Sequence, residues 1–202
     1  MNIYAETNFV QELTFLQEQS QSCDQILDIC EQKKANLIIP AFSLVEPVYK
    51  LHRQKLGRQD IQKKFNDEIQ QLSRTSGYET RIQSIEDLNK LFARSYDEEK
   101  KRFDKYRKRI LEVAVTIPLN SLVLMEAASY EHIYGFSTQD AIVFASVLSH
   151  LKPNITIQSC FLNRNSKDFD NPDIKTELGR FNCTLIPRFD DGYKFISNRL
   201  GS

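Results

Sequence analysis

The sequence has no net charge, no long hydrophobic run and no paired-cysteine motif, and each absence closes off a class of protein. Its 27 Lys and Arg balance 27 Asp and Glu over 202 residues, so no whole-chain field draws it to nucleic acid or to an anionic membrane. Any such attraction has to come from local asymmetry. The apolar runs fall short of the roughly 20 residues that a membrane helix needs, and Met1-Asn2-Ile3-Tyr4 lacks the basic region that opens a secretory signal. A cytoplasmic location is the expectation. Cys23, Cys30, Cys160 and Cys183 form no C-x-x-C pair, and His52, His132 and His150 are scattered, which argues against a structural zinc site and a disulfide framework. Internal repeats and low-complexity tracts are missing as well. What is there, 41% hydrophobic and 27% charged, suffices for one domain with a sizeable core and argues against a disordered tail protein.

Asn2-Ile3-Tyr4-Ala5 reads as a short strand, and Thr7-Asn8 supplies side chains able to cap a helix. Phe9, Val10, Leu13 and Leu16 then fall at helical spacing, followed by Ile26, Leu27, Ile29 and Cys30 in a second helix. Leu37-Ile38-Ile39 is a second strand stopped by Pro40, and Ala41 to Tyr49 resumes a helical pattern. Pro47 lacks the amide that would bond to Ser43, which predicts a kink or a restart there. Beyond Ile117-Pro118 the pattern predicts a helix over Ser121 to Tyr134, a Gly135 stop, and a buried helix from Ser137 or Thr138. Ile155-Thr156-Ile157 and Cys160-Phe161-Leu162 suggest a further strand, Asp173 to Leu178 a short helix, and Thr184-Leu185-Ile186 a last strand. Alternating strands and helices of this kind predict an α/β fold, a three-layer sandwich with a central, mostly parallel sheet.

Residues 50–109 differ in kind. They are polar, with apolar residues at helical intervals (Ile61, Phe65, Ile69, Leu72), and two long helices around a Thr75-Ser76-Gly77 break are the natural reading. They carry 17 Lys and Arg against 10 Asp and Glu, so the neutral whole hides a dipolar molecule. The expected organisation is one domain over 1–202 with 50–109 as a helical insertion within it.

The most informative residues are acids with no charged neighbours. Glu6 stands alone among residues 1–11, just beyond the first strand, where α/β sheets place ligand sites. Glu46 is the only charged side chain between Ala35 and Tyr49, and Asp140 the only one between Ser137 and Ser149. Asp168 follows in Asn163-Arg164-Asn165-Ser166-Lys167-Asp168-Phe169, after the strand ending at Leu162. An acid near a helix start is often only a cap, and Asp168 beside Lys167 reads equally as a solvated loop carboxylate. Taken jointly, carboxylates in apolar surroundings need a shared compensation, and a divalent cation supplies one. Oxygen ligands without His or Cys favour Mg²⁺ or Mn²⁺, and metal-assisted phosphodiester hydrolysis is the chemistry such a site performs.

These residues resemble the PIN domain family of metal-dependent ribonucleases. The resemblance rests on Ile3-Tyr4-Ala5-Glu6-Thr7-Asn8-Phe9-Val10, on Leu37-Ile38-Ile39-Pro40 with Glu46, on Asp140-Ala141 with Ala145, and on Asn163-Arg164-Asn165 through Asp168-Phe169, in the family's order. It implies an endoribonuclease in which Glu6, Glu46, Asp140 and Asp168 hold one or two Mg²⁺ or Mn²⁺ ions while Thr7, Asn8, Thr138 and Asn165 orient water or phosphate. Three features depart from the family: Glu6 stands where Asp is usual, Pro47 follows Glu46, and Asn165 stands where an acid is common. Single-stranded RNA would be held by Lys100, Lys101, Arg102, Lys105, Arg107, Lys108 and Arg109, with Phe103 and Tyr106 interleaved for stacking. Glu98 and Glu99, within a helical turn, support the plainer reading of a salt-bridge-laced helix. An RNA-processing role and the toxin of a toxin-antitoxin pair both fit the resemblance. The competing function is a non-catalytic module that binds RNA or a protein such as an antitoxin, or pairs with a second copy, through Leu88, Leu91 and Phe92 of the long helices. A response-regulator-like α/β domain fits poorly, for want of a phosphoacceptor Asp with a distant Lys.

Overall fold

Short apolar segments flanked by helix signals can bury both faces only at the centre of a layered α/β structure. In the computed structural model, which describes residues 1–75, 79–169 and 171–201 without the side chains of 79–89, 166 and 167, the chain opens with β1 (Asn2–Ala5), α1 (Thr7–Phe15), α2 (Ser20–Glu31) and β2 (Asn36–Pro40). Two long helices follow, α3 (Ala41–Leu72) and α4 (Glu79–Val113), and then β3 (Val115–Ile117). The remainder is α5 (Ser121–Tyr134), α6 (Thr138–Leu151), β4 (Ser159–Leu162), α7 (Ser166–Phe169), α8 (Pro172–Gly179), β5 (Cys183–Ile186) and α9 (Phe189–Leu200).

Among the described residues the strands form one parallel sheet in the order β3-β2-β1-β4-β5. The winding direction reverses between β1 and β4, which opens a crevice beyond their carboxyl ends. Side chains alternate along each strand. Ile3, Ala5, Leu37, Ile39, Cys160 and Leu162 face a core under α1, α2, α3, α4 and α9, while Tyr4, Ile38 and Phe161 face a core under α5, α6 and α8. Residues 141–148 of α6 are all buried, as their nearly unbroken apolar run requires. The four cysteines are buried thiols. Among the described residues no helix is long and apolar enough to cross a membrane.

The structure corrects the sequence reading at several elements. The helix from Ala41 does not restart at Pro47 but runs unbroken to Leu72, so position 50 is no boundary. Leu44, Pro47 and Leu51 lie at helical spacing and are buried together, and that continuous stripe outweighs one missing backbone bond. Residues 155–157 precede β4 instead of joining it, and the sheet has an edge strand, β3, too short to stand out by alternation. At the first helix the cap is Glu6 itself, with Thr7 and Asn8 as its first turn. Ser76 and Gly77 lie outside the described residues.

Only part of the 50–109 stretch behaves as an appendage. Phe103, Tyr106 and Ile110 of α4 are buried in the same core as β1 and α1, and the Arg109 guanidinium is clamped by Asp24, Asp28 and Glu31 of α2 at 2.6–2.7 Å. Hydrogen bonding to Glu31, then to Asp24, pushes the Arg109 pKa well above its ordinary value. Farther out, the helices are held by a bidentate Arg58–Glu99 pair at 2.8 Å, while Leu91 is 60% exposed. Phe103→Ala is expected to destabilise the protein by about 3–5 kcal/mol in urea unfolding, whereas Leu91→Ala shifts it by about 0.5 kcal/mol or less. Equal small effects would mean that α4 does not complete the core.

Candidate active site

Three of the isolated acids come together because three crossovers end at the same edge of the sheet. Glu6 leaves β1, Glu46 sits in the second turn of α3 after β2, and Asp140 is the third residue of α6. All three line one polar cleft of about 200 Å³ with Thr7, Asn8, Gln11, Gln139 and Asn165, at the reversal between β1 and β4.

Glu6 is almost fully buried. Its Oε2 accepts the Asn8 backbone N–H at 2.7 Å, and its Oε1 accepts the Arg164 backbone N–H at 3.4 Å from the loop after β4. Burial pushes its pKa up from 4.5 to about 7 despite those amides, and the nearby Glu46 charge adds to the rise. Thr7, itself buried, donates its hydroxyl to Glu46 Oε2 at 2.5 Å and so joins the acids that follow β1 and β2. Asp140 and Ser137 cap one another: the Asp140 N–H donates to Ser137 Oγ at 3.2 Å, and the Ser137 hydroxyl donates to Asp140 Oδ2 at 2.6 Å.

Asn165 stands between two carboxylates. Its Nδ2 donates to Asp140 Oδ1 at 3.1 Å and to Asp168 Oδ2 at 2.7 Å; two acceptors on one side require the amide NH₂ there. Asp168 does not line the cleft and reaches it only through this amide. Phe169 beside it is buried and stacks on Phe136 at 4.7 Å, which anchors α7. Thr138 is exposed and lies off the cleft wall, where Gln139 stands instead. Among the described residues no group of three or more His, Cys, Asp or Glu side chains is arranged to hold a metal ion. The acids are instead turned to Thr7, Ser137 and Asn165.

Most cations of the expected RNA-binding run on α4 also have partners within the protein. Lys100 and Arg107 pair with Asp104, Arg102 donates to the Thr14 carbonyl and lies 3.9 Å from Glu98, and Arg109 holds the α2 acids. Lys105 covers the Tyr106 ring, Lys108 lies 3.9 Å from Glu112, and Lys101 is exposed. The plainer reading of a salt-bridge-laced helix describes this face. Of the proposed partner seam, Leu91 is exposed, Phe92 is half-buried, and the Leu88 side chain lies outside the described residues.

Sequence reasoning missed the cations that do border the cleft. Lys50 and Arg53 share a face of α3 with Glu46, and Arg164 lines an adjoining cavity with Asn8, Lys50 and Asn165. The 46, 50, 53 spacing carries this signal, but only for a helix that continues through Pro47.

Glu6 sets a pH dependence for the metal-free protein. A carboxyl with a folded pKa near 7 and an ordinary value of 4.5 binds its proton more tightly when folded, so its contribution to stability is full below about pH 4.5 and is lost as the pH rises to about 7. In EDTA, Glu6→Gln is expected to be more stable than the wild type by about 2 kcal/mol at pH 8, with the gap closing towards pH 4.5. A gap that is the same at both pH values would sink the assignment.

Comparison with known proteins assigns the chain to a family. A family model described as PIN domain matches residues 3–169, which takes in both flanking portions and the two long helices. No curated protein and no solved structure matches the chain. PIN domains are generally nucleases and typically use divalent metals. With the match spanning most of its length, the chain belongs to the PIN domain family.

Proposed function

We infer that the protein is a divalent-metal-dependent endoribonuclease working at the Glu6, Glu46 and Asp140 cleft. The observation that carries this reading is the meeting of three carboxylates from three elements in one polar cleft, one of them buried with a raised pKa. The donor set fits: hard oxygen atoms suit Mg²⁺ or Mn²⁺, and Mg²⁺ in particular keeps several waters and takes only one or two carboxylates directly. A bound ion would supply a water of lowered pKa and offset charge growing on the scissile phosphate.

The chain's own residues do the rest. Glu6, relieved of its proton, faces the cleft from the sheet edge, and Thr7 holds Glu46 against it. Ser137 fixes the Asp140 rotamer, and Asn165 ties Asp140 to Asp168, leaving Asp168 to orient the amide. Asn8, Gln11 and Gln139 present amides to a phosphate or a water in the cleft. With a neutral amide between Asp140 and Asp168, the site is read as holding a single ion. Family membership supports RNA as the substrate class, and a cytoplasmic role in RNA processing or as a toxin paired with an antitoxin remains the proposed setting.

Asp140→Asn is expected to lower Mn²⁺- or Mg²⁺-dependent cleavage of a mixed RNA pool by at least about 100-fold with its circular dichroism unchanged. Cutting that persists in EDTA would overturn the metal reading, and RNA binding without any cutting would favour the non-catalytic module. Independently of activity, Mn²⁺ titration calorimetry should give one ion for the wild type and a second for Asn165→Asp. Two ions already in the wild type would refute the single-ion reading.

A further inference from the structure

Beside the acid cleft lies a second, larger cavity of about 650 Å³, which shares Gln11, Glu46 and Gln139 with it and is therefore continuous with it. Its walls combine two kinds of chemistry. Phe42, Tyr49 and Leu56 supply rings and an aliphatic surface, and Tyr49 is 71% exposed, although a ring of that size is normally at least partly covered. Lys50 and Arg53, one turn apart on the same face as Glu46, supply positive charge.

Among the described residues those two cations make no ion pair. Arg58, Arg107 and Arg109 on the neighbouring helix surfaces all pair with acids, yet among the described residues no acid lies within ion-pair distance of Lys50 or Arg53. Lys50 is half-buried, donates to the Gln11 side-chain carbonyl and covers the Phe15 ring at 5.1 Å. Desolvation, and then the Arg53 charge beside it, holds its pKa below the ordinary lysine value. Two adjacent cations that make no ion pair, with Lys50 also in the field of Glu46 and Glu6, lie beside the exposed Tyr49 ring and the half-buried Phe42 ring, a combination that suits an anion carrying a planar group. Lys50 and Gln11 also line the polar cavity of about 560 Å³ with Asn8, Gln17, Arg164 and Asn165, so the second cavity adjoins that one as well.

We propose that this cavity is a nucleotide subsite for single-stranded RNA, in which Tyr49 and Phe42 stack on a base while Lys50 and Arg53 hold its phosphate, directly beside the bond presented to the acid cleft. The size suits one nucleotide, and stacking on an exposed ring is how single strands are held without sequence readout. An apolar protein helix would cover the rings but bring no anion to the two cations, whereas a nucleotide brings a planar base and a phosphate together, so the pairing of ring and charge favours the nucleic acid. The proposal rests on the nuclease reading for its orientation, since the adjoining cleft is where the bond would be cut.

The test separates the two readings by measuring binding without cleavage. Fluorescence anisotropy of a fluorescein-labelled oligoadenylate is followed in EDTA, for the full chain, as a function of salt. Tyr49→Ala is expected to weaken binding about tenfold and Tyr49→Phe to restore it. Lys50→Gln and Arg53→Gln should each weaken it about tenfold and reduce the slope of log affinity against log salt by about 0.7, while Lys152→Gln, at the far end of α6, leaves both unchanged. Variants that bind as the wild type does while metal-dependent cutting persists would overturn the subsite and leave the nuclease reading intact. The expected losses in a protein that cuts nothing would keep the subsite and remove the nuclease. An oligomeric state that changes with Tyr49→Ala at unaltered RNA affinity would mean a protein-covered surface and would overturn the proposal.

Discussion

A buried carboxylate with a raised pKa is expensive to keep, and the way Glu6 is compensated organises the carboxyl edge of the sheet. Its two oxygens accept the amides of Asn8 and Arg164, so one side chain caps α1 and ties the end of β1 to the loop after β4. Arg164 passes the connection on, because its guanidinium bonds the fully buried Glu12 on α1. Glu12 accepts the Gln19 backbone N–H at 2.8 Å, and the Gln19 side-chain oxygen accepts the Phe189 N–H at 2.6 Å at the start of α9. The acid cleft, the β4 loop and the first turns of α2 and α9 therefore share one polar network. A change at Glu12 or Gln19 would reach the cleft without touching it.

Charge in this molecule is divided between structure and function by partner choice. Part of the basic excess of residues 50–109 holds helices together, most clearly where Arg109 meets three acids of α2. Ion pairs of this kind satisfy the cation and remove it from the field that an approaching polyanion would feel. Lys50, Arg53 and Arg164 border the clefts instead; Arg164 pairs with Glu12 and Glu18, while Lys50 and Arg53 make no ion pair among the described residues. The consequence is that the sheet's carboxyl edge presents anions at its centre and cations beside them. That arrangement suits a polyanionic strand whose cut bond meets the carboxylates only when a divalent cation comes between them.

The long helices contribute to the site through their bases. Because α3 continues through Pro47, the turn that carries Glu46 is rigidly continuous with the turns that carry Lys50 and Arg53. Their relative placement is thus fixed by one helix, and the buried stripe of Leu44, Pro47 and Leu51 holds that helix against the core. The base of α4 braces the same core from the other side through Phe103, Tyr106 and Ile110.

Local physics decided much of this from the sequence alone. Apolar runs of strand length, the Gly135 stop in the left-handed region at φ 68°, the Ser137 cap and the nearly all-apolar run of α6 depend on residues a few positions apart, and they are legible for that reason. The isolation of Glu6, Glu46 and Asp140 was legible too, since a carboxylate without charged neighbours is conspicuous in any apolar stretch. Other features needed partners far away in the chain. The first turn of α9 is capped by Gln19, about 170 positions earlier, and Arg109 of α4 finds acids 78–85 positions away, so neither could be read locally. Pro47 is a helix breaker by its own chemistry, and only the core it packs against overrules that. Sequence periodicity determined four of the five strands, the helices between them and the acids that follow them. Tertiary packing decided which cations keep their charge for a ligand, because an ion pair depends on where the two side chains meet in space.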